Sequence, residues 1–371
     1  MTSPDSAARQ AHPVRRSDTV RIPPELRCLV HAEPLALHGG FGSSQEVEHA
    51  TALACRRGCQ VPVIRGIPRF VPSEDYAAAF GWQWKRFRRS QLDSYTGTTI
   101  SRDRLTRCLG GSLEVVGGKA VLEAGCGAGR FTEILLEAGA RVVAADLSSA
   151  VEANYANRGS TLGYFICQAD VRHLPVAPRS FDIVVCLGVI QHTPDPEQTI
   201  AALAGYVKPD GLLAIDHYGR NYPATWSRRA IRALLLRLPP EQARYLALGI
   251  TRALLPVHRT LWHRRRGFAR LRRYLARLSP VVDYYDAYPE LRPELLVEWA
   301  LLDTHDTLTD RFKHLRDPEE IRATLLGLGL SNVEVRAAGN GVEARARGAI
   351  DGARHDDVDS PMAFTHATGS P

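Results

Sequence analysis

The chain has 371 residues, of which 44% are apolar and 23% charged, with 30 Gly and 23 Pro. That composition excludes collagen, coiled coil and wholesale disorder, and predicts a soluble globular protein of two domains or one large domain with insertions. The formal charge of +7 is local, because the stretch from Trp226 to Arg277 holds fourteen Arg against one acid, Glu241; a nucleic-acid-coating surface spread over the whole fold is therefore excluded.

Residues 1–20 and 349–371 are polar and aperiodic and are read as disordered tails. The longest apolar run, Phe181 to Ile190, is interrupted by Asp182 and Gly188, and the N-terminus has no apolar core segment. Neither a signal peptide nor a spanning helix is expected. The cysteines, an odd seven at scattered positions, do not make a secreted disulfide framework and fit a reducing cytoplasm.

Residues 21–75 are rich in turn formers and end in the Pro-broken run VPVIRGIPRFVP, which predicts a small β-rich unit. Within it, Cys28 and His31 form one pair and Cys55 and Cys59 another. Two such knuckles can close a tetrahedral Cys₃His zinc site, and ordinary buried cysteines are the alternative. Residues 76–118 read as a helical connector whose aromatics, Phe80, Trp82, Trp84 and Phe87, serve as glue between the flanking units ahead of a roof over a cleft. From 119 to 220, short apolar runs alternate with helical stretches, the pattern of a parallel sheet with helices on both faces. Residues 221–308 break this alternation as a helical insertion. Residues 309–348 then supply a last helix and two strands joined at Gly339-Asn340-Gly341, a sequence suited to a tight hairpin.

The sharpest motif is Glu123-Ala-Gly125-Cys126-Gly127-Ala-Gly129, at the end of the first strand of this alternation. Glycines at alternate positions let the chain turn tightly and let a ligand lie against main chain. The sixth position from Gly125 is Arg130, which disfavours a dinucleotide fingerprint, and no Gly-Lys-Ser/Thr follows, which excludes a Walker loop. Asp146 closes the second strand, where a carboxylate can accept from ribose hydroxyls, and Asp170 closes the third, placed for an adenine amino group.

Through VLEAGCGAGRF, VVAADLS, ADVRHLP, FDIVVCLGVIQHTPDP and VKPDGLLAIDHY, the chain resembles the class I S-adenosylmethionine-dependent methyltransferases over about residues 119–217 and again over 309–347. The resemblance implies a Rossmann-like, seven-stranded, mostly parallel sheet with the last strand antiparallel. It also implies that Gly125, Gly127 and Gly129 cradle the methionine end of the cofactor, that Glu123 orients its amino group through the loop or a water, and that Cys126, Leu147 and Leu187 are among the cofactor-binding residues. Asp146 would hold the ribose, and Asp170 with Val171 would frame the adenine. Through LRCLVH and VPVIRGIPRF, residues 21–75 are similar to the small zinc-binding activator domain that partners many methyltransferases, in which Cys is usual where His31 stands here.

A sulfonium methyl is already activated, so transfer asks mainly for alignment, with a base where the acceptor is a hydroxyl. His192, His217 and Tyr218 are the candidates to face the acceptor; a structural His192 in its Pro-rich turn is the alternative. Asp303, His305 and Asp306 are a second source of acceptor contacts or of helix caps. Arg264, Arg265, Arg266, Arg270, Arg272, Arg273 and Arg277, flanked by Trp262, Phe268 and Tyr274, predict a helix with basic and apolar faces. That basic face is read as solvated first, then as a contact for a phosphate-bearing substrate or an anionic membrane surface; RNA ranks last, because no RNA-binding module accompanies it. The expected reaction is methyl transfer to oxygen or nitrogen of a small-molecule, glycan-linked or secondary-metabolite acceptor. A tRNA or protein methyltransferase, or a non-catalytic binding module on the same scaffold, are the alternatives.

Overall fold

The computed structural model describes residues 22–38, 50–71, 75–159, 161–222, 225–263, 265–339 and 341–349, without the side chains of 263–269 and 273. Both tails, Arg264, Asn340 and the side chains of Arg265, Arg266, Phe268 and Arg273 thus lie outside the described residues. Four short strands open the chain: β1 (Ala36–His38), β2 (Ala52–Ala54), β3 (Gln60–Ile64) and β4 (Ile67–Pro68), paired antiparallel in chain order. The β-rich reading of this segment holds. Helices α1 (Ala78–Arg86), α2 (Asp93–Thr96) and α3 (Ile100–Cys108) follow.

The alternating segment folds as β5 (Ala120–Ala124), α4 (Arg130–Glu137), β6 (Arg141–Asp146), α5 (Ala150–Arg158), β7 (Tyr164–Gln168), β8 (Phe181–Cys186), α6 (Pro196–Tyr206) and β9 (Val207–Tyr218). Every residue of β5 and β7 is buried, as expected of parallel strands covered on both faces. Helices α7 (Trp226–Leu235), α8 (Pro240–His263), α9 (Arg265–Leu278) and α10 (Pro293–Thr309) form the insertion. Then α11 (Pro318–Gly327), started by a capping box between Asp317 and Glu320, leads to β10 (Ser331–Ala338) and β11 (Gly341–Arg347).

The large sheet has the order β10-β11-β9-β8-β5-β6-β7, and β11 runs antiparallel to both neighbours. This is the expected seven-stranded, mostly parallel fold. Its strand order reverses between β5 and β8, and ligands of open α/β sheets bind beyond the carboxyl ends of the strands at such a point.

The connector and the insertion pack over that edge. Phe87 with Trp82 and Trp84 meets Leu248, Leu301 and Leu302 of α8 and α10, and Tyr95 and Ile100 join the insertion core around Leu255, Leu295 and Trp299. The Trp299 indole N–H donates to the Ser90 carbonyl at 2.6 Å. Two ion pairs fasten α3 below: Arg104 with Asp216 of β9, and Arg107 with Glu343 of β11. Along α9, Arg270, Leu271, Tyr274 and Arg277 face solvent. Among the described residues no helix is long and apolar enough to cross a membrane.

The small sheet is sewn to the free edge at β7. Arg69 bridges to Gln168 through main chain, and its guanidinium donates to Gln168 Oε1 at 2.9 Å and to Glu152 Oε1 at 3.1 Å. Charge-assisted bonds from a buried guanidinium are each worth about 1.5–3 kcal/mol. Arg69→Ala should therefore lower the unfolding free energy by at least about 1.5 kcal/mol, read by guanidinium chloride denaturation.

Candidate functional site

β5 ends in a loop that only glycine can build. Gly125 has φ +79°, and a Cβ there would lie 2.3 Å from Val189 Cγ2, just past β8. Gly129, the N-cap of α4, has φ +93° and faces the Asn154 amide, whose Oδ1 a Cβ would approach to 2.9 Å. Both positions combine a left-handed backbone with a close neighbour, so any side chain would be strained and would clash. The N–H of Gly127 donates to Asp146 Oδ2 at 2.9 Å, while Asp146 Oδ1 accepts from the Ser148 N–H and hydroxyl. The end of β6 thereby holds the loop of β5 in shape.

This loop floors a cavity of about 530 Å³ at the reversal of strand order, a size usual for small-molecule sites. Of the residues singled out from sequence, Gly125, Cys126, Gly127, Asp146, Leu147, Val171, Leu187, His192, Tyr218, Asp303 and Asp306 line it. Phe80 and Trp84 line it too, so part of the connector's aromatic set is a roof, whereas Trp82 and Phe87 pack on α8 and α10 and not against the small sheet.

Five expected site residues do not line it, the first being Gly129, which caps α4. Successive side chains of a strand point to opposite faces, so His217 turns away from Tyr218 and out of the cavity wall. Its Nδ1–H donates to the Tyr218 carbonyl, and burial pushes its pKa down to about 4. Asp170 is engaged by Arg172, which holds its carboxyl below the usual range against the opposing effect of burial. His305 packs on Trp82 and bonds to Gln83 Oε1 at 2.8 Å. Glu123 lies beneath the loop, 2% exposed, and accepts from the Thr132 hydroxyl.

His192, in the turn Ile190–His192, is held from behind. Its Nδ1 lies 3.1 Å from the Phe312 carbonyl and 3.3 Å from Asp310 Oδ2, which leaves Nε2 as the nitrogen an acceptor can reach. Burial opposes the imidazolium, but the charge of Asp306 and the bond to Asp310 outweigh it and raise the pKa. Asp310 in turn is gripped by Arg232 at 2.6 Å and Lys313 at 3.1 Å.

Several lining residues had no sequence signal strong enough to select them. Arg104 reaches the cavity from α3, and Arg130, directly after the glycines, donates to Ser101 Oγ and Gln91 Oε1. Burial pushes Arg130 down to about 10. Tyr222, Tyr284, Tyr288 and Trp299 complete the wall from the insertion side. The density of tyrosine in VVDYYDAYPE was the available clue.

In the small unit the ligand atoms of Cys28, His31, Cys55 and Cys59 all lie within 4.8 Å of one another. His31 Nδ1 is 3.3, 3.5 and 4.0 Å from the sulfurs of Cys55, Cys59 and Cys28. These separations bracket the edge of a tetrahedral Zn–S/Zn–N polyhedron, roughly 3.6 Å, so the donor set fits zinc.

Residues 122–215 match the family described as a methyltransferase domain. That segment is a methyltransferase domain. The domain is similar to the ubiquinone biosynthesis O-methyltransferase of Coxiella burnetii, 36% identical over 110 residues, covering 29% of this chain and 47% of that one. The enzyme of the same description from an Azoarcus species is 33% identical over 111 residues, with the same coverage. The chain spans about half the length of these relatives. Among solved structures, the magnesium protoporphyrin IX methyltransferase of Synechocystis is 15% identical, with 74% of this chain and 93% of that one covered, at a TM-score of 0.39.

Beneath the loop of this methyltransferase domain, burial raises the Glu123 carboxyl from 4.5 to about 8. The folded protein then keeps a proton that the unfolded chain has lost, so stability declines as pH climbs through that interval. Glu123→Gln, which retains the neutral shape, should remove this part of the decline when unfolding curves at about pH 5.5 and about pH 8 are compared.

Proposed function

We propose that the chain transfers a methyl group from S-adenosylmethionine to an oxygen or nitrogen atom of a small-molecule acceptor. The single observation carrying this reading is that one cavity joins a side-chain-free loop, gripped by Asp146, to a wall of tyrosines and His192 on the insertion side. The O-methyltransferase names of the relatives support the same class of acceptor. Glycan-linked and secondary-metabolite acceptors are the finer choices within it.

When bound, the cofactor supplies an electrophilic sulfonium methyl. In this reading, Gly125, Cys126 and Gly127 present main chain to its amino-acid end, Asp146 and Leu147 meet the ribose, and Val171 and Leu187 enclose the base. Glu123 supports the loop from below and touches no ligand. His192 Nε2 takes the proton of a hydroxyl acceptor, while Asp310 fixes the ring and stabilises the imidazolium. Tyr218 packs edge-on against that ring at 5.3 Å and limits its rotation. The roof of Phe80 and Trp84 excludes water from the transfer path.

Cys28, His31, Cys55 and Cys59 would hold one structural zinc. A closed four-ligand site has no open position for chemistry and acts through folding. Metal analysis of protein purified from zinc-replete cells should find one zinc per chain, lost in Cys55→Ser together with the fold of the small sheet.

S-adenosylhomocysteine titrated by calorimetry tests the cofactor assignment. Asp146→Ala should weaken its binding by about 1.5–3 kcal/mol, the range for lost charged hydrogen bonds, and unchanged affinity refutes the ribose role. With a hydroxyl acceptor, His192→Ala should lower kcat by about a hundredfold at unaltered cofactor affinity. The wild-type rate should rise with pH through a pKa above the usual histidine value, and this limb should vanish in the variant.

A further inference from the structure

Two carboxyl groups on the cavity wall, Asp303 and Asp306, stand outside any ion pair of the described residues. The Asp306 carboxyl, on α10, accepts no hydrogen bond from any described residue, and its Oδ1 is fully buried. One turn earlier, Asp303 accepts only from the Tyr284 hydroxyl. Among the described residues no ion pair reaches either group; His192 is the titratable neighbour of Asp306, and Arg104 and Arg130 act on Asp303 through space while their hydrogen bonds go elsewhere. Arg104 is paired with Asp216, Arg232 and Lys313 with Asp310, and Arg130 is bonded to Ser101 and Gln91.

Removing a carboxylate from water without a counter-charge costs several kcal/mol. Burial accordingly pushes the Asp303 carboxyl up to about 7 and raises that of Asp306 as well. Beside these acids stand three aromatic rings. Tyr284 and Tyr288 stack at 5.8 Å, and both meet Trp299 edge-on at 5.2 and 5.4 Å. All three line the cavity, and no described cation of the protein lies over them. Aromatic faces are negative and attract cations, most strongly where water is excluded.

We propose that this end of the cavity, walled by Tyr284, Tyr288, Trp299, Asp303 and Asp306, recognises a cationic nitrogen, so that the methyl acceptor is an amine that enters protonated. The inference rests on the methyltransferase reading and deepens it. The bound ammonium passes one proton to a carboxylate of the pair, and the freed lone pair forms the new N–C bond. The C–S bond breaks with its electrons going to sulfur, and the product leaves as the methylated ammonium.

A divalent cation on His192, Asp306 and Asp310, whose ligand atoms lie within 4.8 Å of one another, is the rival occupant. Arg232 and Lys313 on Asp310 oppose it with two positive charges.

The test compares choline with its uncharged isostere, 3,3-dimethylbutan-1-ol, by calorimetry on the full chain saturated with S-adenosylhomocysteine. Choline should bind about tenfold or more tightly than the alcohol. Asp306→Asn and Tyr288→Leu should each erase most of that preference while the affinity for S-adenosylhomocysteine stays within about twofold. Equal affinities, or no choline binding, overturn the proposal. So does a loss of S-adenosylhomocysteine affinity in Asp306→Asn, which would assign the carboxylates to the cofactor, or displacement of choline by magnesium ions. Should S-adenosylhomocysteine fail to bind the wild type, the methyltransferase reading falls, and the choline comparison on the protein alone still decides the cation site.

Discussion

The carboxyl ends of β5 and β8 pass so close together that no side chain fits between them. Gly125 and Val189 occupy that contact, and the 2.3 Å approach of a hypothetical Cβ to Val189 Cγ2 states the constraint. It follows from topology, since these neighbouring strands send their connections to opposite sides and open a crevice at the point of reversal. With the loop forced into left-handed backbone, its N–H groups become available, and Asp146 takes that of Gly127. The floor of the cavity is therefore main chain, held by a carboxylate from the next strand.

A floor needs walls, and here these are secured by buried charge pairs as well as apolar packing. Asp216, 3% exposed, accepts from Arg104 of α3 and from the Gly188 N–H at 2.6 Å, fixing the connector against the ends of β8 and β9 with one carboxylate. Glu343, equally buried, receives Arg107 and Arg336. Glu133 of α4 accepts from the Ser94 N–H and hydroxyl and from Arg158. Each pair offsets a desolvation cost of several kcal/mol, and each ties connector or last strands to the core. The connector is thus part of the pocket, which is why Phe80, Trp84, Gln91 and Arg104 reach the same space as the glycine loop.

Set against this paired background, Asp303 and Asp306 stand out because neither is in an ion pair of the described residues, while three rings stand beside them. The core supplies the surface for a nucleoside and the insertion supplies a different chemistry facing it. In the proposed reaction that division separates cofactor from acceptor, and the choice of acceptor belongs to α10 and the tyrosine-rich segment before it.

The amino-acid sequence by itself determined the alternation of strands and helices, the glycine loop and the acid at the end of the second strand. These are local matters, set by periodicity and by the few residues that tolerate left-handed backbone. It also grouped Cys28, His31, Cys55 and Cys59, which the fold brings within reach of one another. Tertiary structure alone decided which side chains face the cavity. Residue 217 or 218 points inward according to strand register, Asp170 is withdrawn by a neighbour two residues away, and aromatics one helical turn apart divide between the cavity roof and packing on α8 and α10. Arg104 meets Asp216 across 112 residues, and Tyr284 meets Asp303 only because the segment after α9 returns against α10. Facing and pairing across such distances depend on how elements pack in three dimensions, and no local pattern encodes them.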